Sequence, residues 1–268
     1  MGEAGEPTLD IERHLRYWKM CLRSPLPNLY VSNEGNRMAL AYFIINAITI
    51  LTPNTPEQQT PPPTPPPKPL IAPEERIKLR EWVLSHQHPG GGFSGSISLV
   101  FPLREYDEWD FETGKRSLEH SGLANIAATL FALQLLALLA GDENADNAFK
   151  GVDRKKTLLW LRKLQREDGS FGEALRCLPG QGWFIAGGYD MRYCYIAAAI
   201  RWILRGDVEQ TDSRWAEDIG VDRFVSYILR SQVSAYPEPQ RRLLFVPNGL
   251  FSDLRWWLRR KLVRRTAW

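Results

Sequence analysis

The chain has few cysteines, and their number and spacing are poorly suited to disulfide bonding. Among 268 residues only Cys21, Cys177 and Cys194 occur, so the count is odd and the positions are far apart. Disulfide-bonded secreted domains carry many paired cysteines, and this pattern therefore favours a reducing compartment. The sequence has no CxxC or HExxH motif, and residues 1–10 are too polar and acidic for a signal peptide. We expect a cytoplasmic protein.

The chain also has little net charge. Its formal net charge is +3 at pH 7. Residues 233–268 hold eight Lys or Arg and two acidic residues, which gives +6 for this segment and −3 for residues 1–232. Proteins that bind nucleic acid usually present a basic surface. The mildly acidic main body gives no reason to expect a nucleic-acid partner.

Long hydrophobic runs are rare. Residues 38–51 form an apolar run that is too short to cross a bilayer, and residues 123–140 form one that is barely long enough. The second run contains Asn125, Thr129 and Gln134, and no aromatic belt or basic flank marks its ends. We predict a helix buried inside the protein rather than a membrane span.

Proline is abundant in one place. Nine of the 17 residues from 53 to 69 are proline. Each proline ring removes an N–H donor and clashes with the preceding turn, so this segment cannot form a helix. We predict a disordered insertion that acts as a linker, with a ligand for SH3 or WW domains as the alternative.

Helical periodicity dominates the rest, and no convincing alternating strand pattern occurs. Pro73 and Asp153 are placed where helices begin, and Asp190 is a further N-cap candidate. Helices are predicted over residues 10–22, 36–51, 74–84, 121–139, 154–165, 190–204 and 221–231.

A weak internal repeat organises these helices. Amphipathic helices end at Gln87, Gln165 and Gln232, and the first two are followed by a glycine turn with one aromatic, Phe93 or Phe171. Each repeat has room for a helical hairpin plus a loop, and a single hairpin cannot bury its own apolar face. We expect each phenylalanine to pack back onto the helix before it. Several hairpins must therefore stack or close into a ring, and a ring of helical hairpins is an α–α toroid with a central cavity. The predicted fold is all-α, an incomplete α–α toroid.

Four segments resemble the β subunits of protein prenyltransferases. EDGSFG at residues 167–172 is similar to the family's repeat signature, and GGYDMRYCYIAAA at residues 187–199 resembles the segment that carries an Arg into the active-site funnel. HLRYWKMCL at residues 14–22 and NEGNRMALAYF at residues 33–43 resemble the opening of the type I geranylgeranyltransferase β subunit, of fungal type. EDGSFG alone would also fit terpene cyclases.

The resemblance implies half of a heterodimeric transferase. The family β subunit pairs with an α subunit and binds an isoprenoid diphosphate in an aromatic-lined funnel. It transfers the isoprenoid to a CaaX cysteine of target proteins such as small GTPases. A zinc ion holds that cysteine as the nucleophilic thiolate.

Three residues are implied to line the substrate pocket: Ala39, Arg192 and Tyr193. Farnesyl relatives have a Trp in the segment that matches residues 36–40, so the small Ala39 favours a C20 donor, geranylgeranyl diphosphate. The alternative is that Ala39 is an ordinary helix residue. Arg192 would face the peptide substrate, and its alternative is a solvated Arg paired with Asp190. Tyr193 is also interpreted as part of the toroid wall.

The family's zinc ligands are not recognised in this sequence, so no metal ligand and no catalytic residue is assigned. His86 and His88 resemble a metal pair only superficially, and we interpret them as surface histidines. The domain organisation is predicted as N-terminal toroid helices over residues 1–52, a Pro-rich insertion over 53–69 and toroid repeats over 70–232. Residues 233–268 are interpreted as an aberrant basic tail of a C-terminally truncated product, or as a basic amphipathic helix.

Two functions remain open at this point. The first is geranylgeranyl transfer by a β subunit that truncation impairs. The second is a non-catalytic toroid fragment that serves only as an interaction module for an α subunit. A terpene cyclase would need an Asp-rich motif to initiate the carbocation, and the sequence has none.

Overall fold

A computed structural model describes residues 9–52, 71–97, 108–110, 115–117, 123–140, 147–178, 182–205, 209–213 and 215–231. The chain divides into two units, residues 1–227 and 228–268, and only residues 228–231 of the second are described. The predictions for the Pro-rich segment 53–69 and for the basic tail 233–268 lie outside the described residues. The boundaries of these two segments therefore stay predictions.

Within the described residues the structure is mainly helical. A 3₁₀ segment, Asn28–Asn36, follows the first helix and has no counterpart among the predicted elements. The α-helices are α1 Ile11–Arg23, α2 Arg37–Leu51, α3 Pro73–Leu84, α4 Ile126–Ala140, α5 Arg154–Lys163, α6 Met191–Arg205 and α7 Val221–Arg230.

Polar caps explain where several helices begin. The Asp153 side chain accepts a hydrogen bond of 2.9 Å from the backbone N–H of Lys156, so the predicted N-cap of α5 is confirmed. Pro73 is the first residue of α3, as its missing N–H allows. Helix α4 was predicted to begin at residue 121 but begins at Ile126, because Asn125 is its cap and accepts a hydrogen bond of 2.7 Å from the N–H of Ala128.

Two short β-hairpins accompany the helices, although the sequence has no convincing alternating strand pattern. Strands β1 Glu108–Asp110 and β2 Lys115–Ser117 pair antiparallel, and so do β3 Ala174–Leu178 and β4 Gly182–Ala186. Each hairpin lies between a glycine turn and the helix that follows, α4 or α6. The second hairpin is not apparent from the sequence, because ALRCL and GWFIA do not alternate cleanly between polar and apolar residues.

Helices α2, α4 and α6 form the inner layer of the fold. Helix α2 packs against α4, and α4 packs against α6; α1, α3 and α5 pack onto α2, α4 and α6 respectively. Nine of the 15 residues of α4 are buried, so the predicted buried helix is confirmed. In the part of the chain that the structure describes, no helix is long and apolar enough to cross a membrane.

A glutamine clamp connects each repeat to the next outer helix. Gln87 accepts a hydrogen bond of 2.8 Å from the N–H of Asp153 and donates one of 3.3 Å to the Gly151 carbonyl, just before α5. Gln165 makes the same pair of contacts with Gly220, just before α7: its oxygen accepts from the N–H at 2.6 Å and its amide donates to the carbonyl at 3.0 Å. The two copies of the repeat are thus joined to their successors in the same way.

The glycine turns make the second contact between successive repeats. Gly91 and Gly169, each four residues after its glutamine, have φ of +102° and +94°, a region that favours glycine. Their Cα atoms lie against the backbone carbonyls of Lys156 and Arg223, each the third residue of the next outer helix. This equivalence, together with the inner layer, is the architecture of an α–α toroid, as predicted.

The shared geometry of the turns also places their aromatic rings. Phe93 and Phe171 are completely buried. The backbone at Phe171 returns to the preceding helix, where it bridges Gln165, but its ring meets Phe224 of α7 edge to face, with centroids 5.7 Å apart. The expectation that the phenylalanine packs onto its own preceding helix was therefore incomplete, because the ring also packs onto the following outer helix.

Candidate functional site

The inner helices bury one side in the core and leave another side partly open. On α2 this open side carries Ala39, Phe43, Asn46 and Ile50, which recur every three or four residues. Phe43 is 52% exposed and Ile50 is also exposed, whereas Met38, Ile45 and Ile48 on the other side are buried. Ala39 is half-buried and lies one turn before Phe43.

The open side of α4 continues this surface. Ala127, Phe131, Gln134 and Leu138 are its half-buried residues at helical spacing. The Phe131 ring lies 5.5 Å from the Phe43 ring and 5.2 Å from the Tyr42 ring, measured between centroids. These three aromatic rings join α2 to α4.

Helix α6 adds a third stripe. Tyr195 and Trp202 are large and exposed, and they are seven residues apart, so they share a face of the helix. Ala198 and Ala199 lie between them and are only half-buried. We call the open sides of α2, α4 and α6 together the inner wall. It is rich in aromatic and small side chains, which suits an extended apolar ligand.

Of the residues on this wall, only Ala39 was singled out from the sequence, as a residue that the resemblance implies for a substrate pocket. Phe43, Phe131, Tyr195 and Trp202 were not singled out. Phe43 and Phe131 each follow an alanine by four residues, and Tyr195 and Trp202 are seven residues apart. This helical spacing was a usable signal in the sequence. That signal is ambiguous in a sequence, because a buried core stripe has the same period.

Arg192 lies at the start of α6 and is held by Asp190. Its Nε and Nη2 donate to Oδ2 of Asp190 at 2.8 and 2.6 Å, and its side chain is 85% exposed. The hydrogen bonds from Arg192 lower the pKa of Asp190, and those to Asp190 raise the pKa of Arg192. The Oδ1 atom of Asp190 also accepts from the N–H of Arg192 at 2.8 Å, which caps the helix. The pairing named as the alternative for Arg192 is therefore present.

Tyr193 is half-buried and faces the base of the β3–β4 hairpin. Burial is the main cause that raises the pKa of Tyr193, and the neighbouring carboxylate of Glu173, with which it hydrogen-bonds, raises it further. The hydroxyl stays protonated at neutral pH and hydrogen-bonds with Glu173. Cys194, the next residue, is buried, and burial raises the pKa of its thiol.

His86 is not at the surface, so that prediction was wrong. Its side chain is only 1% exposed, because the residue is packed under α3 with its ring 4.4 Å from that of Trp82. Nδ1 lies 2.8 Å from the Trp82 carbonyl and donates to it, while Nε2 has no partner in the described part of the chain. His88 is half-buried, and its Nδ1 accepts from the N–H of Gly90 at 3.0 Å.

The buried His86 predicts an acid-sensitive stability. Burial lowers the pKa of His86; the hydrogen bond to Trp82 and the nearby Glu34 oppose this shift, and Arg37 adds to it. The unfolded chain therefore binds the proton first, near the ordinary pKa of about 6.5. Stability is fully present above that pH and falls as the pH drops below it, by at most about 1.4 kcal/mol per pH unit.

Urea unfolding between pH 7.5 and 5 measures this effect. His86→Asn keeps a donor for Trp82 and is expected to flatten the pH dependence. His14→Asn, at an exposed histidine, should leave the wild-type slope in place. Equal slopes for the wild type and His86→Asn would contradict the assignment.

A zinc ion, implied by the resemblance, does not fit the residues that the structure describes. Among them no three His, Cys, Asp or Glu side chains are grouped so that they could hold a metal ion. Cys194 is buried on α6, and Cys21 lies on α1. No step of a reaction is therefore assigned to a metal here.

Comparison with known proteins defines the class. The family described as "Prenyltransferase alpha-alpha toroid domain" matches residues 9–236. A geranylgeranyl transferase type-1 subunit beta from Arabidopsis thaliana is 30% identical over 193 residues, which are 72% of this chain and 43% of the relative. A protein farnesyltransferase subunit beta from Pyricularia oryzae is 25% identical over 196 residues, 73% of this chain and 28% of the relative.

A solved structure shows the same fold. Candida albicans protein geranylgeranyltransferase-I complexed with GGPP matches with a TM-score of 0.56 at 21% identity, over 83% of this chain and 51% of that one. The repeated helical hairpins define an α–α toroid protein. The chain belongs to the prenyltransferase α–α toroid family, and its relatives include β subunits of protein prenyltransferases. It spans about half or less of the length of these relatives.

Proposed function

We propose that this chain forms the isoprenoid-binding part of a type I protein geranylgeranyltransferase β subunit. The inner wall carries this proposal: Phe43, Phe131, Tyr195 and Trp202 give three adjacent helices aromatic side chains that the core does not fully cover. Burying a C20 chain against such a wall gains about 25 cal/mol per Å² of apolar surface. The donor is geranylgeranyl diphosphate, and the chain functions in the cytoplasm with an α subunit.

Ala39 would set the length of the donor. It lies on the same side of α2 as Phe43 and is half-buried, and its methyl group takes up less room there than a larger side chain would. A donor site that ends in a small side chain accommodates a longer isoprenoid. A Trp at that position would restrict the site to a shorter isoprenoid. The relationship of the chain to both geranylgeranyl and farnesyl transferase β subunits makes this position a useful test.

Arg192 and Tyr193 would contact the acceptor peptide of a CaaX protein such as a small GTPase. The guanidinium of Arg192 is exposed and can make forked contacts with a carbonyl or carboxylate oxygen. Asp190 holds it in place in the absence of a peptide. Transfer would form a thioether between the donor's C1 and the cysteine sulfur, with diphosphate as the leaving group and the thiol proton lost to solvent.

Ala39→Trp is expected to reverse the preference for donor length. The indole would occupy the space next to Phe43, so the affinity for a C20 diphosphate should fall by about tenfold or more relative to a C15 diphosphate. Fluorescence titration with isoprenoid diphosphate analogues of both lengths measures this change directly. It requires binding only, not turnover.

Two variants serve as controls. Ala39→Ser adds one oxygen to α2 and should keep the C20 preference, while Ile77→Trp places an indole at an exposed position of α3, outside the inner wall. If Ala39→Trp binds both donors as the wild type does, Ala39 is not part of the donor site. If the wild type binds neither donor, the proposed function is wrong.

A non-catalytic interaction module is the second candidate. It is favoured by one observation: the described residues offer no metal-binding group for thiolate activation. The two candidates differ when the chain is mixed with an α subunit, zinc, the C20 donor and a peptide ending in Cys-aliphatic-aliphatic-Leu. Turnover supports the transferase, and a stable complex without turnover supports the module.

A further inference from the structure

The start of α2 is fastened to the segment that follows the first glycine turn. The N–H of Met38, the second residue of α2, donates to the Gly95 carbonyl at 3.0 Å. The two backbones also approach closely, because the Gly35 carbonyl leaves no room for a Cβ at Gly95. The first N–H groups of a helix have no partner within the helix, so the Gly95 carbonyl satisfies one of them.

Glu34 adds a side-chain link at the same place. The Ser96 hydroxyl donates to Oε1 of Glu34 at 2.8 Å, and Oε2 of Glu34 lies 3.2 Å from Nε of Arg37, the first residue of α2. Ser96 is buried and Glu34 is half-buried, so the hydrogen bond between them is largely shielded from solvent. One carboxylate therefore binds both the turn segment and the start of the helix.

The same turn segment also holds the start of α4. The carbonyl of Phe93 accepts a hydrogen bond of 3.1 Å from the N–H of Asn125, which caps α4. Ser94 pairs with Ala124 in an isolated antiparallel bridge. Residues 93–96 thus contact the starts of both inner helices, and the placement of α2 relative to α4 depends on this one short segment.

This shared anchor lies close to the aromatic part of the inner wall. Ala39 and Phe43 follow Arg37 by two and six residues, and Phe131 follows Asn125 by six. An α-helix moves as a stiff rod, with a rise of about 1.5 Å and a rotation of about 100° per residue. A slip of one residue at the start of α2 would turn Ala39 away from the wall. It would also separate the rings of Phe43 and Phe131, whose centroids lie 5.5 Å apart.

We propose that Glu34 is a positioning residue of the donor site, which fixes where α2 begins and so where Ala39 lies on the inner wall. This rests on the proposed function, because it concerns the site that would bind the isoprenoid diphosphate. Glu34 acts through Ser96 and Arg37 rather than by touching the donor. Its loss would leave a buried hydroxyl and a guanidinium without their carboxylate, which favours a shifted start of α2.

Fluorescence titration of the full chain with C20 and C15 isoprenoid diphosphate analogues tests this role. Glu34→Ala should raise the dissociation constant of the C20 analogue by about tenfold, because a site displaced by a fraction of an ångström loses complementarity. Glu34→Gln keeps an oxygen that accepts from Ser96 and should stay within about threefold of the wild type. Asp153→Ala removes the cap of the outer helix α5 and should change donor binding by less than about twofold, although it lowers stability.

A double-mutant cycle with Ala39→Trp separates positioning from general support of the fold. In the Glu34→Ala background, the effect of Ala39→Trp on the ratio of C20 to C15 affinity should shrink by about threefold or more, because the indole is no longer held in the site. In the Asp153→Ala background the effect of Ala39→Trp should be unchanged. Ser96→Ala, a smaller change that keeps the ion pair of Glu34 with Arg37, should act in the same direction as Glu34→Ala, and it serves if that variant does not fold.

Urea unfolding of each variant, measured in parallel, makes the outcomes distinct. Weaker C20 binding by Glu34→Ala together with coupling to Ala39 supports the positioning role. If Glu34→Ala and Ser96→Ala lower stability but bind both donors as the wild type does, or if their effects simply add to that of Ala39→Trp, the positioning role is wrong and the proposed function survives. If the wild type binds neither donor, the proposed function fails and this role fails with it.

Discussion

Gly169→Ala is expected to destabilise the chain by about 3 kcal/mol or more, measured as the free energy of unfolding in urea. A Cβ at this position would lie 2.1 Å from the carbonyl oxygen of Arg223 and 2.4 Å from its carbonyl carbon. Both atoms belong to the backbone of α7, so the whole helix start must move to relieve the clash. The φ of +94° adds a strain of about 1–2 kcal/mol for any residue with a side chain.

Two other glycines separate the clash from the strain. Gly182 has φ of +78°, and no atom lies within 4 Å of the position that an added methyl group would take, so Gly182→Ala carries the strain alone, about 1 kcal/mol. At Gly188 an added methyl group would meet open space, and φ lies outside the left-handed region. Gly188→Ala should therefore leave the free energy of unfolding nearly unchanged. If Gly169→Ala costs no more than Gly182→Ala, the contact between the glycine turn and α7 does not hold the repeats together.

Phe171→Ala is expected to cost about 3–5 kcal/mol, the usual loss for a buried aromatic residue. Its ring is completely buried and meets Phe224 edge to face, so the substitution removes burial and the aromatic contact and leaves a cavity between two repeats. Thermal or urea unfolding measures the change. The loss is a large part of a typical net stability of about 5–15 kcal/mol.

Phe43→Ala is the matched control. It removes the same atoms from a residue that is about half exposed, so its effect on stability should stay below about 1.5 kcal/mol. Phe43→Ala should instead weaken binding of the C20 donor more than Phe171→Ala does, because Phe43 belongs to the inner wall. Similar losses of stability in the two variants would contradict the distinction between repeat core and inner wall.

The helices and the toroid could be predicted from the sequence because their signals are local. Asp153 and Pro73 mark helix starts through their own backbone chemistry, and the Gln-Gly-Phe pattern recurs at fixed spacing. Helix α4 was recognised as buried because polar residues such as Thr129 interrupt it without any membrane flank. Thr129 is fully buried, and its hydroxyl accepts from the N–H of Phe93 at 2.9 Å.

What failed could not be read from residue type and periodicity alone. His86 was interpreted as a surface residue because alternate histidines at a helix end usually face solvent, yet its ring is packed against Trp82 and near Arg37 of α2. The β3–β4 hairpin pairs Ala174 with Ala186 and is fixed by its position between a glycine turn and α6, not by strand propensity. For Arg192 the sequence left two interpretations open, and only the structure reveals the ion pair with Asp190.

The glutamine clamp has a consequence for biosynthesis. Gln87 and Gln165 precede the helix starts to which they hydrogen-bond by more than 50 residues. The ribosome therefore synthesises each glutamine before the helix start that it binds. A hairpin that has already condensed can receive the next outer helix as it emerges, and growth of the ring proceeds in the direction of translation.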